Sequence, residues 1–85
     1  SGQLLALSPR EYALLEYLMH HPGVPLSRSQ ILSRCWPSDY GGGSNVVDVF
    51  IRYLRRKLGA HWFVASRGVG YRLDAALRAG LARSR

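Results

Sequence analysis

Eighty-five residues with 47% hydrophobic content suffice for one small domain with a modest core and exclude a disordered chain, and no apolar run nears the roughly 20 residues of a membrane span. A single cysteine, Cys35, excludes an internal disulfide, and His20, His21 and His61 lack any zinc-ligand spacing, so neither metal nor cofactor is expected. The formal charge of +7 lies in the second half: residues 1–43 balance Arg10, Arg28 and Arg34 against Glu11, Glu16 and Asp39, whereas 44–85 set nine cations against Asp48 and Asp74, as a chain facing an acidic polymer requires.

In chain order, residues 3–7 form a short apolar segment readable as the end of a strand. Ser8, Pro9 and Glu11 then make a helix start, with Ser8 as cap, Pro9 suited to the first helical position and Glu11 as capping-box partner. Tyr12, Leu14, Leu15, Leu18 and Met19 recur at helical spacing, and Pro22-Gly23 ends the helix near His20 or His21. Residues 24–26 read as an extended link. Ser27 and Gln30 repeat the capping box before Ile31, Leu32, Cys35 and Trp36, and Pro37 closes this short second helix. A loop with three consecutive glycines, 41–43, follows.

Residues 44–58 are expected to form the functional helix, capped by Ser44 or by Asn45. At about 100° per residue, Val47, Ile51, Leu54 and Leu58 fall on one narrow arc that faces the core. The opposite side carries Asn45, Val49, Arg52, Tyr53 and Arg56, flanked by Asp48 and Arg55. Cations around one small apolar residue and one aromatic suit a phosphate-lined groove. Gly59 stops the helix, and 62–66 and 71–73 read as two strands around Arg67-Gly68-Val69-Gly70, whose glycines allow the positive dihedrals of a tight hairpin. Residues 74–85 read as a basic Ala/Arg-rich tail, either a short helix or unstructured. The expected fold is α+β: a winged helix-turn-helix over 1–73, with a three-helix core, a C-terminal β-hairpin wing and a short N-terminal strand remnant. Arg67, at the Gly-flanked tip, is placed to enter a minor groove.

The motifs Ser8-x-x-Glu11-x-x-Leu14-Leu15, Ser27-Arg28-x-x-Ile31-Leu32, Val47-Asp48-Val49-x-Ile51, Leu54-Arg55-x-Lys57-Leu58 and Arg67-Gly68-Val69-Gly70-Tyr71-Arg72-Leu73 resemble the effector domain of OmpR/PhoB-type response regulators, in register from about residue 7 to 73. The resemblance implies a cytoplasmic bacterial transcription factor with no membrane partner, joined in a longer parent chain to a separate phosphorylated receiver domain. It also implies head-to-tail binding to direct-repeat sites in double-stranded DNA. By position, Val49 and Tyr53 would face base edges, Arg52 and Arg55 would hold phosphates, and Arg67 and Tyr71 would act from the wing. The loop at Ser38, Asp39 and Tyr40 would stand where some members touch RNA polymerase. Tyr53 departs from the family, in which an Arg is common at this position; a phenol offers one donor or acceptor and a ring for thymine methyls.

Each residue also has a plainer reading. Arg28 is expected to pair with a carboxylate such as Asp48 rather than with phosphate. Trp36 either leans on the DNA backbone or plugs the core, Phe50 packs, and Tyr71 either fills the core or reaches a phosphate with its hydroxyl. A winged helix serving protein interaction, with only weak DNA affinity, would use the Tyr12-bearing or loop surface. An enzyme is not expected, since the five carboxylates are scattered over caps and loops.

Overall fold

The computed structural model describes residues 6–76, which form α1 (Pro9–Met19), β1 (Leu26–Ser27), α2 (Arg28–Cys35), α3 (Asn45–Leu58), a 3₁₀ turn (Ala60–Trp62), β2 (Phe63–Ser66) and β3 (Gly70–Leu73). The first two helices begin as their sequences dictate. Ser8 Oγ accepts from the Glu11 N–H (3.1 Å) while the Glu11 carboxylate accepts from the Ser8 N–H (2.8 Å), and Ser27 and Gln30 repeat this exchange at 3.0 and 2.8 Å. Leu14 and Leu18 are fully buried, whereas Tyr12 is 56% exposed and takes no part in the core.

The start of α3 differs from expectation. Ser44 occupies the cap position with helical dihedrals (φ −71°, ψ −8°) and makes no side-chain cap bond, and Asn45 is already the first helical residue. The turn is instead closed by main chain, with the Val47 N–H donating to the Ser44 carbonyl at 3.0 Å. At the other end, Gly59 takes φ +122° and its N–H caps the Arg55 carbonyl at 2.9 Å.

A three-stranded antiparallel sheet of order β1-β3-β2 closes the domain, with Phe63 opposite Leu73, Ser66 opposite Gly70 and Leu26 opposite Tyr71. Strand β1 was expected only as a link. The hairpin glycines also divide their work differently from expectation: Gly68 alone of the two takes a positive φ (76°). Gly70 serves close approach, because a Cβ there would collide with the Leu26 carbonyl and sit 2.9 Å from the Ser27 Cα. Trp62 falls in the 3₁₀ turn, so β2 begins one residue later than the pattern suggests.

The core lies where α1, α2, α3 and the sheet meet, with Leu14, Leu18, Ile31, Val47, Ile51, Leu54 and Leu73 fully buried and Phe63 nearly so; Leu58, the last member of the predicted arc, is only half-buried. Three helices closed by a sheet whose last hairpin exposes its tip at 67–69 form a winged helix. Ala6 and Leu7 are not in a strand; the rest of the expected N-terminal strand, like most of the expected tail (77–85), lies outside the described residues.

Candidate nucleic-acid interface

The three-residue and four-residue steps that bury Val47, Ile51 and Leu54 turn Asn45, Arg52 and Arg56 outward, all exposed, with Val49 and Tyr53 partly exposed among them. No segment among the described residues covers this face. Arg56, and Arg67 at the exposed wing tip, make no hydrogen bond or ion pair among the described residues, and Arg52 acts on Asp48 only through space. Their charge is therefore available to an external anion.

The flank of α3 facing the wing is occupied differently from expectation. Arg55 donates from Nε (3.1 Å) and Nη2 (2.6 Å) to the Phe63 carbonyl, so it braces β2 and is not the free phosphate clamp that its sequence position suggested. Tyr71 is 6% exposed, with its hydroxyl hydrogen-bonded to Asp48 and its ring near two guanidiniums, Arg28 at 5.2 Å and Arg55 at 5.8 Å. It acts inside the domain and does not reach outward from the wing. Arg28 Nε donates to Asp48 Oδ1 at 2.9 Å, the pairing expected over a phosphate contact. Burial alone would push the Asp48 carboxyl up, but the Tyr71 and Arg28 hydrogen bonds and the neighbouring charges hold it below the usual aspartate range. Burial, and then the hydrogen bond to Asp48 and its charge, push the Tyr71 hydroxyl up.

On the other flank the contacts are aromatic. Trp36 is 8% exposed and packs in the core, with the Arg10 guanidinium 5.5 Å from its ring. Phe50 meets Trp36 edge-on (centroids 5.3 Å, 85°) and Tyr53 in turn (5.2 Å, 64°). In the loop, Ser38 and Asp39 are exposed, while Tyr40 is half-buried with its ring tilted on Trp36 at 6.4 Å. Gly42 leaves room for that ring: a Cβ there would collide with the Tyr40 hydroxyl.

Sequence reasoning missed one further anchor. Glu11, 4% exposed, takes an ion pair from Lys57 Nζ at 2.7 Å, and the same ammonium donates to the Ala6 carbonyl at 2.8 Å. Burial would raise the Glu11 carboxyl, but the bond from Lys57 and that from the Ser8 N–H outweigh it and leave it below its ordinary value. Cys35 is buried and its thiol is pushed up by burial, as befits a core residue. Among the described residues, no group of His, Cys, Asp and Glu could hold a metal ion, and no helix is long and apolar enough to cross a membrane.

A family model described as "Transcriptional regulatory protein, C terminal" matches residues 2–73. The chain belongs to that family. It is a family of transcription regulators and not of enzymes, and the resemblance to OmpR/PhoB-type effector domains holds. This member is 48% identical over 73 residues to the transcriptional regulatory protein TcrA of Mycobacterium tuberculosis, a match covering 81% of this chain and 29% of TcrA. The chain thus spans about three tenths of that relative's length. The DNA-binding domain of Bacillus subtilis CssR superposes with a TM-score of 0.77 at 40% identity, over 85% of this chain and 82% of that one. The DNA-binding domain of Klebsiella pneumoniae RstA, solved in complex with the RstA box, gives 0.74 at 29% identity, over 87% and 78%.

Proposed function

We propose that this domain binds double-stranded DNA sequence-specifically as the output domain of a two-component transcriptional regulator, with α3 in the major groove and the hairpin of 62–73 in the minor groove. The observation that carries the reading is the outward face of α3, where exposed Arg52 and Arg56 surround Val49 and Tyr53 with no covering chain among the described residues. Such a face supplies phosphate contacts for position and short side chains for base edges. Val49, Tyr53 and Asn45 read bases, Arg52 and Arg56 hold phosphates, and Arg67 enters the minor groove. Arg55 and Tyr71 hold the wing against α3 and support this geometry from behind.

The proposal includes a receiver domain in a longer, cytoplasmic parent chain. Head-to-tail pairing on direct repeats and a polymerase contact through Ser38, Asp39 and Tyr40 complete the proposal. The competing protein-interaction reading has the exposed Tyr12 in its favour but leaves the cationic face of α3 without a role.

Selection of bound sequences from a random duplex pool tests the reading. One enriched motif in direct repeat is expected, with affinity falling on the order of a thousandfold between low and moderate salt if six or more phosphates are contacted. Arg67→Ala should lose about tenfold on A·T-rich flanks and little elsewhere. An unenriched pool with salt-insensitive binding would overturn the proposal.

A further inference from the structure

Tyr53 is the one aromatic residue on the reading face, and it is not free to move as an isolated side chain on an exposed helix would be. Its ring lies against Phe50 (5.2 Å, 64°), Phe50 lies edge-on against the buried Trp36 (5.3 Å, 85°), and Trp36 also carries Tyr40 of the α2–α3 loop (6.4 Å). Trp36 belongs to the core and is 8% exposed, so the row is anchored at its middle. Phe50 and Tyr53 stand three residues apart on α3, the spacing at which two rings on one helix meet. Edge-to-face contacts of this kind favour particular ring planes, which orders Tyr53 before any ligand arrives.

The chemistry that such a ring can read is narrow. A single phenol hydroxyl cannot make the bidentate pair that distinguishes guanine or adenine, whereas the apolar ring offers a surface for the one methyl group that the major groove displays, on C5 of thymine. We infer that Tyr53 is a specificity-determining residue that reads a thymine 5-methyl group, and that Phe50, backed by Trp36, is its positioning residue. The inference rests on the DNA-binding reading above and adds the class of base contact and the residues that set it up. It also joins base readout to the loop: Tyr53 bears on Phe50, Tyr40 bears on Trp36, and those two rings meet each other.

Uracil substitution tests this directly, because it deletes only the methyl group. In the duplex selected by the wild-type domain, each thymine of one half-site is replaced in turn by uracil and binding is titrated. One position is expected to lose about threefold to tenfold in affinity, as one buried methyl implies. Tyr53→Ala should abolish that penalty, and Phe50→Leu should shrink it below twofold. Phe50→Tyr, which retains the ring, should restore it. Thermal melting checks that each variant is folded, and Phe50→Met replaces the leucine variant should that one not fold. A wild-type domain indifferent to uracil at every position, or a Phe50→Leu variant with the full penalty, would overturn the inference while leaving DNA binding intact. A pool with no enriched sequence would instead remove the DNA-binding reading itself.

Discussion

On its wing side, α3 is held by Asp48 and Arg55, which reach Tyr71, Arg28 and the Phe63 carbonyl through hydrogen bonds involving charged groups. On its loop side it is held by Phe50, whose ring meets Tyr53 on the same helix and Trp36 across from it, with Trp36 in turn meeting Tyr40, through ring contacts alone. Bonds to charged groups are directional and roughly twice as strong as neutral ones, so they fix the angle between helix and hairpin. Ring contacts are weaker and tolerate sliding. One flank therefore sets the frame in which the helix is presented, and the other tunes what it presents.

The most severe way to break this contrast is Asp48→Ala, which leaves the Tyr71 hydroxyl and the Arg28 guanidinium without their shared acceptor. A loss of about 2–3 kcal/mol in urea unfolding is expected, with base preference unchanged among molecules that remain folded. A loss under about 0.5 kcal/mol would mean that the clasp is ornamental, as many surface ion pairs are. Arg55→Met comes next at about 1.5–2 kcal/mol, since the Phe63 carbonyl loses a charged donor.

Acid sharpens the comparison further. The Asp48 and Glu11 carboxyls sit below their ordinary values in the fold, so the unfolded chain binds protons first as pH falls. Their contribution is thus fully present above the ordinary carboxylate range and is lost as pH drops below about 4 through the folded-state values. Urea midpoints measured down that range should fall, and Asp48→Asn should flatten part of the slope. Phe50→Leu, on the aromatic flank, should cost the least, about 1 kcal/mol, with the acid slope unchanged.

Much of this is legible in the sequence because it is local. Both capping boxes, the core arc at Val47, Ile51 and Leu54, and the wing turn follow from spacings of a few residues. What escaped depends on distant partners. Strand β1 is two residues long with no alternation of its own, and the sign of its presence is Gly70, a residue whose missing Cβ matters only because Leu26 crosses there. Arg55 stands at the border between the inner and outer faces, where spacing cannot say whether a main-chain carbonyl will consume its donors. Tyr71 did leave a signal: it shares with Leu73 the inward phase of β3, and strand alternation places both against the core. The backbone closure at Ser44 left none, since either polar side chain satisfied the pattern.

The bond from Lys57 to both Glu11 and the Ala6 carbonyl has a mechanical consequence. It fastens the point where the described chain enters the domain to the last turn of the reading helix, across 51 residues of sequence. Any load placed on Ala6 therefore bears on that turn, at the end of the helix away from its glycine-rich entry. The lysine thus acts as a tether that binds the main chain at Ala6 to the foot of the rod beside it.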